Sequence, residues 1–165
     1  MGECQSFAPV CDRQSRILIL GSMPGVQSLA AQQYYAHPQN RFWRLLALLF
    51  EEPPPQDYAA KLALLHKHRA ALWDALAFCE RDGSLDSDIK NGRPNDILGL
   101  LERCPDIRAV FCNGGKAAAV FKKHFAKRLP PSVTVYYLHS TSPANARMSL
   151  ADLAAEWQII KNFLK

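Results

Sequence analysis

Short aliphatic runs that stop at glycine or at a small polar residue alternate with segments of helical spacing. No other property of the chain narrows its fold as much. The runs cover residues 16–20 before Gly21, 107–112 before Asn113-Gly114-Gly115, and 133–137; residues 72–78 are ambiguous by pattern, and their place between helices makes 71–74 the expected strand. Strands that alternate with helices argue for a mostly parallel sheet covered on both sides. The expected architecture is therefore α/β, a three-layer α/β/α sandwich around a short central sheet.

The intervening segments carry the apolar period of helices. Residues 41–50 place Phe42, Leu45, Leu46 and Leu49 on one face, and Pro53-Pro54-Pro55 ends the pattern. Asp57 is a candidate N-cap for a helix over 58–68. Asn95 or Asp96 caps a helix that buries Ile97, Leu100, Leu101 and Cys104. Residues 116–128 turn Ala117, Val120, Phe121 and Phe125 inward, and Ser149 caps a final helix carrying Leu150, Leu153, Ala154, Trp157 and Ile160. Residues 1–15 read as a loose leader, and 80–92 as a polar loop. With no repeat, low-complexity segment or linker, 165 residues are expected to form one domain, 1–165.

Composition limits the function classes. Hydrophobic residues make up 48% of the chain, sufficient for a core, and no apolar stretch is long enough to span a membrane. Twenty Lys and Arg against 15 Asp and Glu give a formal charge of +5, which permits a polyanion partner without requiring one. The five cysteines are odd in number and form no CxxC pair, which disfavours a disulfide framework or a zinc knuckle. Together with the lack of a signal-peptide pattern, this scatter suits a reducing, cytoplasmic setting.

In an open α/β sheet, the loops at the carboxyl ends of parallel strands line one crevice. Four such loops hold the chemistry-bearing residues, and each also has an ordinary structural reading. Gly21-Ser22-Met23-Pro24-Gly25 allows close backbone approach to a ligand, or is simply a tight turn. Asn40, just ahead of a helix, is an N-cap or an amide that orients water or grips a base edge. His37 is a ligand-facing or a satisfied loop histidine. Asn113 is a turn former or a reader of a nucleobase edge. Residues 140–146 are a Ser/Pro surface turn or a set of N–H groups turned toward a phosphate.

Taken together, the loops resemble a known family. Tyr35-Ala36-His37-Pro38-Gln39-Asn40-Arg41-Phe42-Trp43 is similar to the segment after motif one in mismatch-specific uracil/thymine-DNA glycosylases. Gly21-Ser22-Met23-Pro24-Gly25 resembles motif one itself. Ser140-Thr141-Ser142-Pro143-Ala144-Asn145 resembles motif two of the uracil-DNA glycosylase superfamily, and Asn113 stands where that superfamily places a base-reading asparagine. Met23 departs from the pattern, because the mismatch-specific enzymes carry a catalytic Asn there. The hypoxanthine-DNA (deoxyinosine) glycosylase branch also lacks that Asn, and its catalytic Asn corresponds to Asn40. Resemblance to this branch extends to Leu72-Trp73-Asp74 and Arg81-Asp82-Gly83-Ser84-Leu85-Asp86.

The resemblance implies a monofunctional DNA-repair glycosylase that hydrolyses the N-glycosidic bond of a deaminated base, hypoxanthine before uracil. It needs no metal or cofactor, acts on DNA and is a monomer. Asn40 would be catalytic, positioning the water that captures the sugar cation. Met23, Pro24, Tyr35, His37 and Asn113 would contact the base, with Tyr35 stacking on it. Ser140, Ser142, Pro143, Ala144, Asn145 and Arg147 would meet DNA, the first two holding phosphates and Asn145 or Arg147 filling the vacated stack. Lys116, Lys123 and Lys127 are a weak nonspecific field or a solvated helix face. The alternatives are a uracil/thymine mismatch glycosylase, a non-catalytic DNA-binding module on the same scaffold, and an α/β enzyme acting on free nucleosides.

Overall fold

The computed structural model describes residues 2–165. Its strands are β1 (Glu3–Gln5), β2 (Ile17–Gly21), β3 (Ala70–Asp74), β4 (Leu76–Glu80), β5 (Lys90–Pro94), β6 (Ala109–Asn113) and β7 (Thr134–Leu138). Its α-helices are α1 (Val26–Ala31), α2 (Phe42–Leu49), α3 (Tyr58–Lys67), α4 (Ile97–Arg103), α5 (Gly115–His124) and α6 (Leu150–Trp157).

Four strands form a parallel sheet in the order β3-β2-β6-β7. Alternate side chains of its strands serve opposite cores, as the two-residue period of a strand requires. Ile17, Ile19, Leu72 and Phe111 face the core shared with α2, α3 and α6. Leu18, Leu20, Ala71 and Val110 face the core shared with α4 and α5. Every residue of β2, β3 and β6 is buried. This is the expected α/β/α sandwich, and the apolar runs are continuous because both faces are dry.

The helix caps also follow the sequence. Asp57 accepts a hydrogen bond from the Ala60 N–H, and Asp96 from the Gly99 N–H. Ser149 and Asp152 form a reciprocal capping box. The 116–128 helix is shorter than its pattern: α5 ends at His124, and a 3-10 turn follows over Ala126–Arg128.

Two expectations need correction. The first fifteen residues are not a loose leader among the described residues. β1 pairs with β4, and Val10 exchanges backbone hydrogen bonds with Leu72, sealing the free edge of β3. Nor is 80–92 only a loop, because β1, β4 and β5 form a second, antiparallel sheet. Strand β5 reads Lys-Asn-Gly-Arg-Pro and is largely exposed. It is extended because β4 offers it an edge, not because of its own propensity.

Candidate active site

Within the parallel sheet, chain order reverses between β2 and β6. Such a switch point opens a crevice outside the carboxyl ends of the strands. A cleft of about 660 Å³ lies there, lined by the turn after β2, the ends of β3 and β6, the 34–40 loop, the 84–86 lip and the 140–145 turn. That volume is ample for a nucleobase with its sugar. Of the residues singled out from sequence, Met23, Pro24, Tyr35, His37, Asn40, Asn113, Ser140, Ser142, Pro143, Ala144 and Asn145 all line it. Arg147 is exposed outside the lining.

The 34–40 loop is held at several points. The Trp43 indole N–H donates to the Tyr34 carbonyl, the Ala36 N–H to the Ser28 hydroxyl, and the Asn40 N–H to the His37 carbonyl. The loop carries a bulky residue in left-handed backbone, Tyr35 at φ 54°. That conformation costs about 1–3 kcal/mol and persists where surrounding contacts over-determine it. Here the Tyr35 ring stacks on Phe42, with centroids 4.0 Å apart, and its hydroxyl accepts from Asn113 Nδ2 at 3.1 Å. A base can therefore stack only on the opposite ring face. His37 Nδ1 accepts from the Gln39 N–H, so that nitrogen is already satisfied.

Asn40 Oδ1 accepts two hydrogen bonds, from the Phe42 N–H and from the Thr141 hydroxyl, both at 2.9 Å. The Phe42 N–H can only donate, which settles the amide orientation. The two Nδ2 hydrogens are then the groups of Asn40 left for a ligand among the described residues. The carbonyl is occupied, so any contact of Asn40 with water or base falls to these hydrogens.

Thr141 connects the two asparagines. Its hydroxyl donates to Asn40 Oδ1 and accepts from Asn113 Nδ2, while its N–H donates to Asn113 Oδ1. The residue is 0% exposed. Asn113, 6% exposed, thus spends both amide hydrogens inside the protein, on Tyr35 and Thr141. It braces the cleft and leaves one lone pair of Oδ1 for a base edge. Thr141→Val is expected to lower unfolding free energy by about 1–3 kcal/mol, the cost of orphaning two buried polar partners. Thr141→Ser restores the hydroxyl. Urea denaturation of the two variants checks this, and equal stability would remove Thr141 from the brace.

The 140–147 turn does not use its N–H groups as expected. The Ser142 N–H donates to the Ser140 hydroxyl, the Ala144 N–H to the Ser142 hydroxyl, and the Asn145 N–H to the Ser142 carbonyl. The hydroxyl hydrogens of Ser140 and Ser142 remain available in place of the backbone donors. Asn145 is tied back through Nδ2 to the Ser140 carbonyl, so it is not poised as a wedge. The whole turn hangs on Arg41. Its guanidinium donates to the carbonyls of Thr141, Met148, Ser142 and Asn145, and its backbone N–H to that of Thr141.

Asp74 ends β3 and, in sequence, belongs to the Leu72-Trp73-Asp74 segment that resembles the hypoxanthine-DNA glycosylase branch, with no site role expected of it. It is 4% exposed and lines the cleft. Oδ2 has no hydrogen-bond partner among the described residues. Burial pushes its pKa up to about 7; the nearby Asp86 charge adds to the rise, and Arg81 opposes it. A methyl group added to Gly21 would sit 2.5 Å from Asp74 Oδ1 and 2.7 Å from the Tyr35 hydroxyl. The two oxygens therefore flank the bare face of that glycine. Burial, with the Asp74 charge, also raises the Tyr35 pKa, so its phenol stays neutral.

A cleft at the carboxyl edge of a short parallel sheet, with amides, hydroxyls and a buried carboxyl set among apolar and aromatic side chains, has the size and chemistry to take a nucleobase. The sequence profile of the uracil DNA glycosylase superfamily matches residues 8–164, and the chain belongs to that superfamily. It is 36% identical over 157 residues to a hypoxanthine DNA glycosylase of Methanosarcina acetivorans, covering 94% of this chain and 96% of the relative. It is 39% identical over 114 residues to a hypoxanthine DNA glycosylase of Methanosarcina barkeri, covering 68% and 72% of the two chains. A solution structure from Methanosarcina acetivorans, described as a candidate uracil DNA glycosylase, superposes with a TM-score of 0.85 at 35% identity and 99% coverage of both chains.

Proposed function

We propose that this protein is a monofunctional DNA glycosylase that releases hypoxanthine from deoxyinosine in DNA. The observation that carries the reading is the hydrogen-bonded chain Tyr35–Asn113–Thr141–Asn40, which leaves the Asn40 amide hydrogens free in a cleft of nucleobase size. Its similarity to two hypoxanthine DNA glycosylases over most of the chain supports the choice of base.

A base inside a duplex is out of reach and must be extruded, at a cost of a few kcal/mol that is least for a mispaired base. Hypoxanthine opposite thymine is such a mispair. In the cleft, the C1′–N9 bond breaks with its electron pair passing to the base, while the sugar becomes oxocarbenium-like. Fixed donors aimed at the departing charge supply the main stabilisation, as in an oxyanion hole. Asn40 Nδ2 is the donor we assign to this role; water then captures the sugar cation and gives up a proton, which passes through solvent to neutralise the departed base anion. Tyr35 offers its free ring face to the base, and Met23, Pro24 and His37 complete the wall. Met23 is buried in an apolar cluster. It shapes the pocket and takes no part in proton chemistry.

Phosphates meet the Ser140 and Ser142 hydroxyls, and Pro143 and Ala144 form the exposed rim of the turn. Arg147 reaches the backbone or the vacated stack. No helix among the described residues is long and apolar enough to cross a membrane. We read the working unit as one chain and one domain, acting on DNA in the cytoplasm.

Duplexes carrying hypoxanthine, uracil, xanthine or mismatched thymine decide the reading under single-turnover conditions. Free hypoxanthine is expected to appear fastest. Release of uracil or thymine in preference would make the protein a sibling mismatch enzyme, and binding without any release would make it a DNA-binding module.

A further inference from the structure

The carboxyl of Asp74 is a buried titratable group in the cleft that the mechanism above does not use. Its surroundings set an unusual electrostatic problem. Arg81 is the nearby cation; its Nε has no hydrogen-bond partner among the described residues, and its two terminal nitrogens are turned to other groups. It donates to the Pro24 and Ser84 carbonyls and sits 3.8 Å from Asp86. Asp86 is held in turn by the Ser22 hydroxyl at 2.7 Å. From the other elements, Tyr34, Tyr35 and Tyr58 feel the Asp74 charge, and none of them hydrogen-bonds its carboxyl. Asn95 Nδ2 donates to the Asp74 backbone carbonyl, fixing the strand end rather than the side chain. Asp74 therefore lines the cleft at 4% exposure, with Oδ1 beside Gly21 and the Tyr35 hydroxyl and with Oδ2 buried and without a hydrogen-bond partner among the described residues.

We infer that Asp74 is a second catalytic residue: as the neutral acid, it donates a hydrogen bond to the atom of the extruded purine that gains negative charge as the glycosidic bond breaks. This rests on the reading that the cleft takes such a purine. An ionised carboxylate at this place would repel the departing anionic base and raise the barrier. A neutral carboxylic acid does the opposite, and a buried apolar setting is what keeps a carboxyl neutral at working pH. Entry of DNA removes more water and brings phosphate charge near, and both favour the neutral form further. No proton need leave Asp74. The bond that breaks is C1′–N9, the leaving electron pair stays on the base, and the carboxyl hydrogen bond strengthens as that charge grows.

The sign of the pH effect follows. The folded pKa lies above the ordinary carboxylate value, so the neutral acid is present at lower pH and lost as pH rises through about 7. Single-turnover release of hypoxanthine, measured with saturating enzyme across neutral and alkaline pH, should decline on the alkaline side for the wild type. Asp74→Asn keeps a donor that cannot ionise, and should flatten that decline. Any alkaline limb belonging to the base itself would persist in this variant. Asp74→Ala should lose about 10²–10³-fold at pH below about 7, the scale of one deleted donor, and the deficit should shrink at alkaline pH, where the wild type has lost its own proton.

Folding is checked separately. At alkaline pH, Asp74→Asn should unfold at a higher temperature than the wild type, because it removes a desolvated charge. An unchanged pH profile in Asp74→Asn, or unimpaired release by folded Asp74→Ala, overturns the assignment while leaving the glycosylase reading intact. Failure of the wild type to release hypoxanthine from any DNA overturns that reading instead.

Discussion

Asn40→Ala is expected to bind deoxyinosine DNA with near wild-type affinity and to release base about 10²–10³-fold more slowly, the loss seen when a donor to a developing anion is deleted. The fold should survive. Oδ1 holds the Phe42 N–H and the Thr141 hydroxyl, and losing a helix-end acceptor costs about 1 kcal/mol. In a chain of this size that is a fall in Tm of about 2–4 °C. Asn40→Asp separates the two jobs of the side chain. Its carboxylate still accepts both hydrogen bonds, so stability should stay close to wild type, but it has no N–H to offer. If release depends on the donor, Asn40→Asp is as slow as Asn40→Ala. If release depends on an oxygen that orients water, Asn40→Asp retains activity and the donor role falls. Denaturation curves and single-turnover release on the same protein samples make the comparison.

Arg41→Ala should have the largest structural effect of any single change near the site. One guanidinium gathers four backbone carbonyls of the 141–148 turn. Hydrogen bonds from a charged group contribute about 1.5–3 kcal/mol each, though not additively. A loss of roughly 3 kcal/mol in unfolding free energy, or about 6–12 °C in Tm, is the expected scale. The site should fail with the turn, because Thr141 places Asn40 and Asn113, and Ser140 and Ser142 stand beside it. DNA affinity and base release should therefore drop together, unlike in Asn40→Ala. Arg41→Lys should not rescue, since a single ammonium cannot span the carbonyls that a planar fork reaches. Wild-type binding and release by a stable Arg41→Ala protein would show that the turn is held by other means.

The parts of the structure that were legible in the sequence are those where burial is complete. Strands β2, β3 and β6 are apolar throughout because both faces are covered, and the N-caps Asp57, Asp96 and Ser149 stand where the helical period begins. The second sheet was not legible. β5 is polar and exposed, and β1 spans only three residues, Glu3–Gln5, so neither carries a pattern of its own.

The candidate site shows the same division. Its perimeter could be read from motifs, but its wiring could not. Thr141 looks like one more small hydroxyl in a Ser/Thr/Pro turn, and only the fold reveals that it joins residues 40 and 113. The N–H groups of residues 142 and 144 look free for phosphate until Ser140 and Ser142 are seen to accept them. Asp74 ends an apolar strand. Its sequence signals were its place in the Leu72-Trp73-Asp74 resemblance and a carboxylate closing an apolar run; only the fold sets it in register with Gly21.

Mass spectrometry of a duplex with one deoxyinosine, incubated with the protein, tests the central claim most directly. The account predicts free hypoxanthine together with an unbroken strand that carries a single abasic site. An unaltered inosine strand recovered from a protein that binds it, or hypoxanthine released only from free nucleoside, would contradict it.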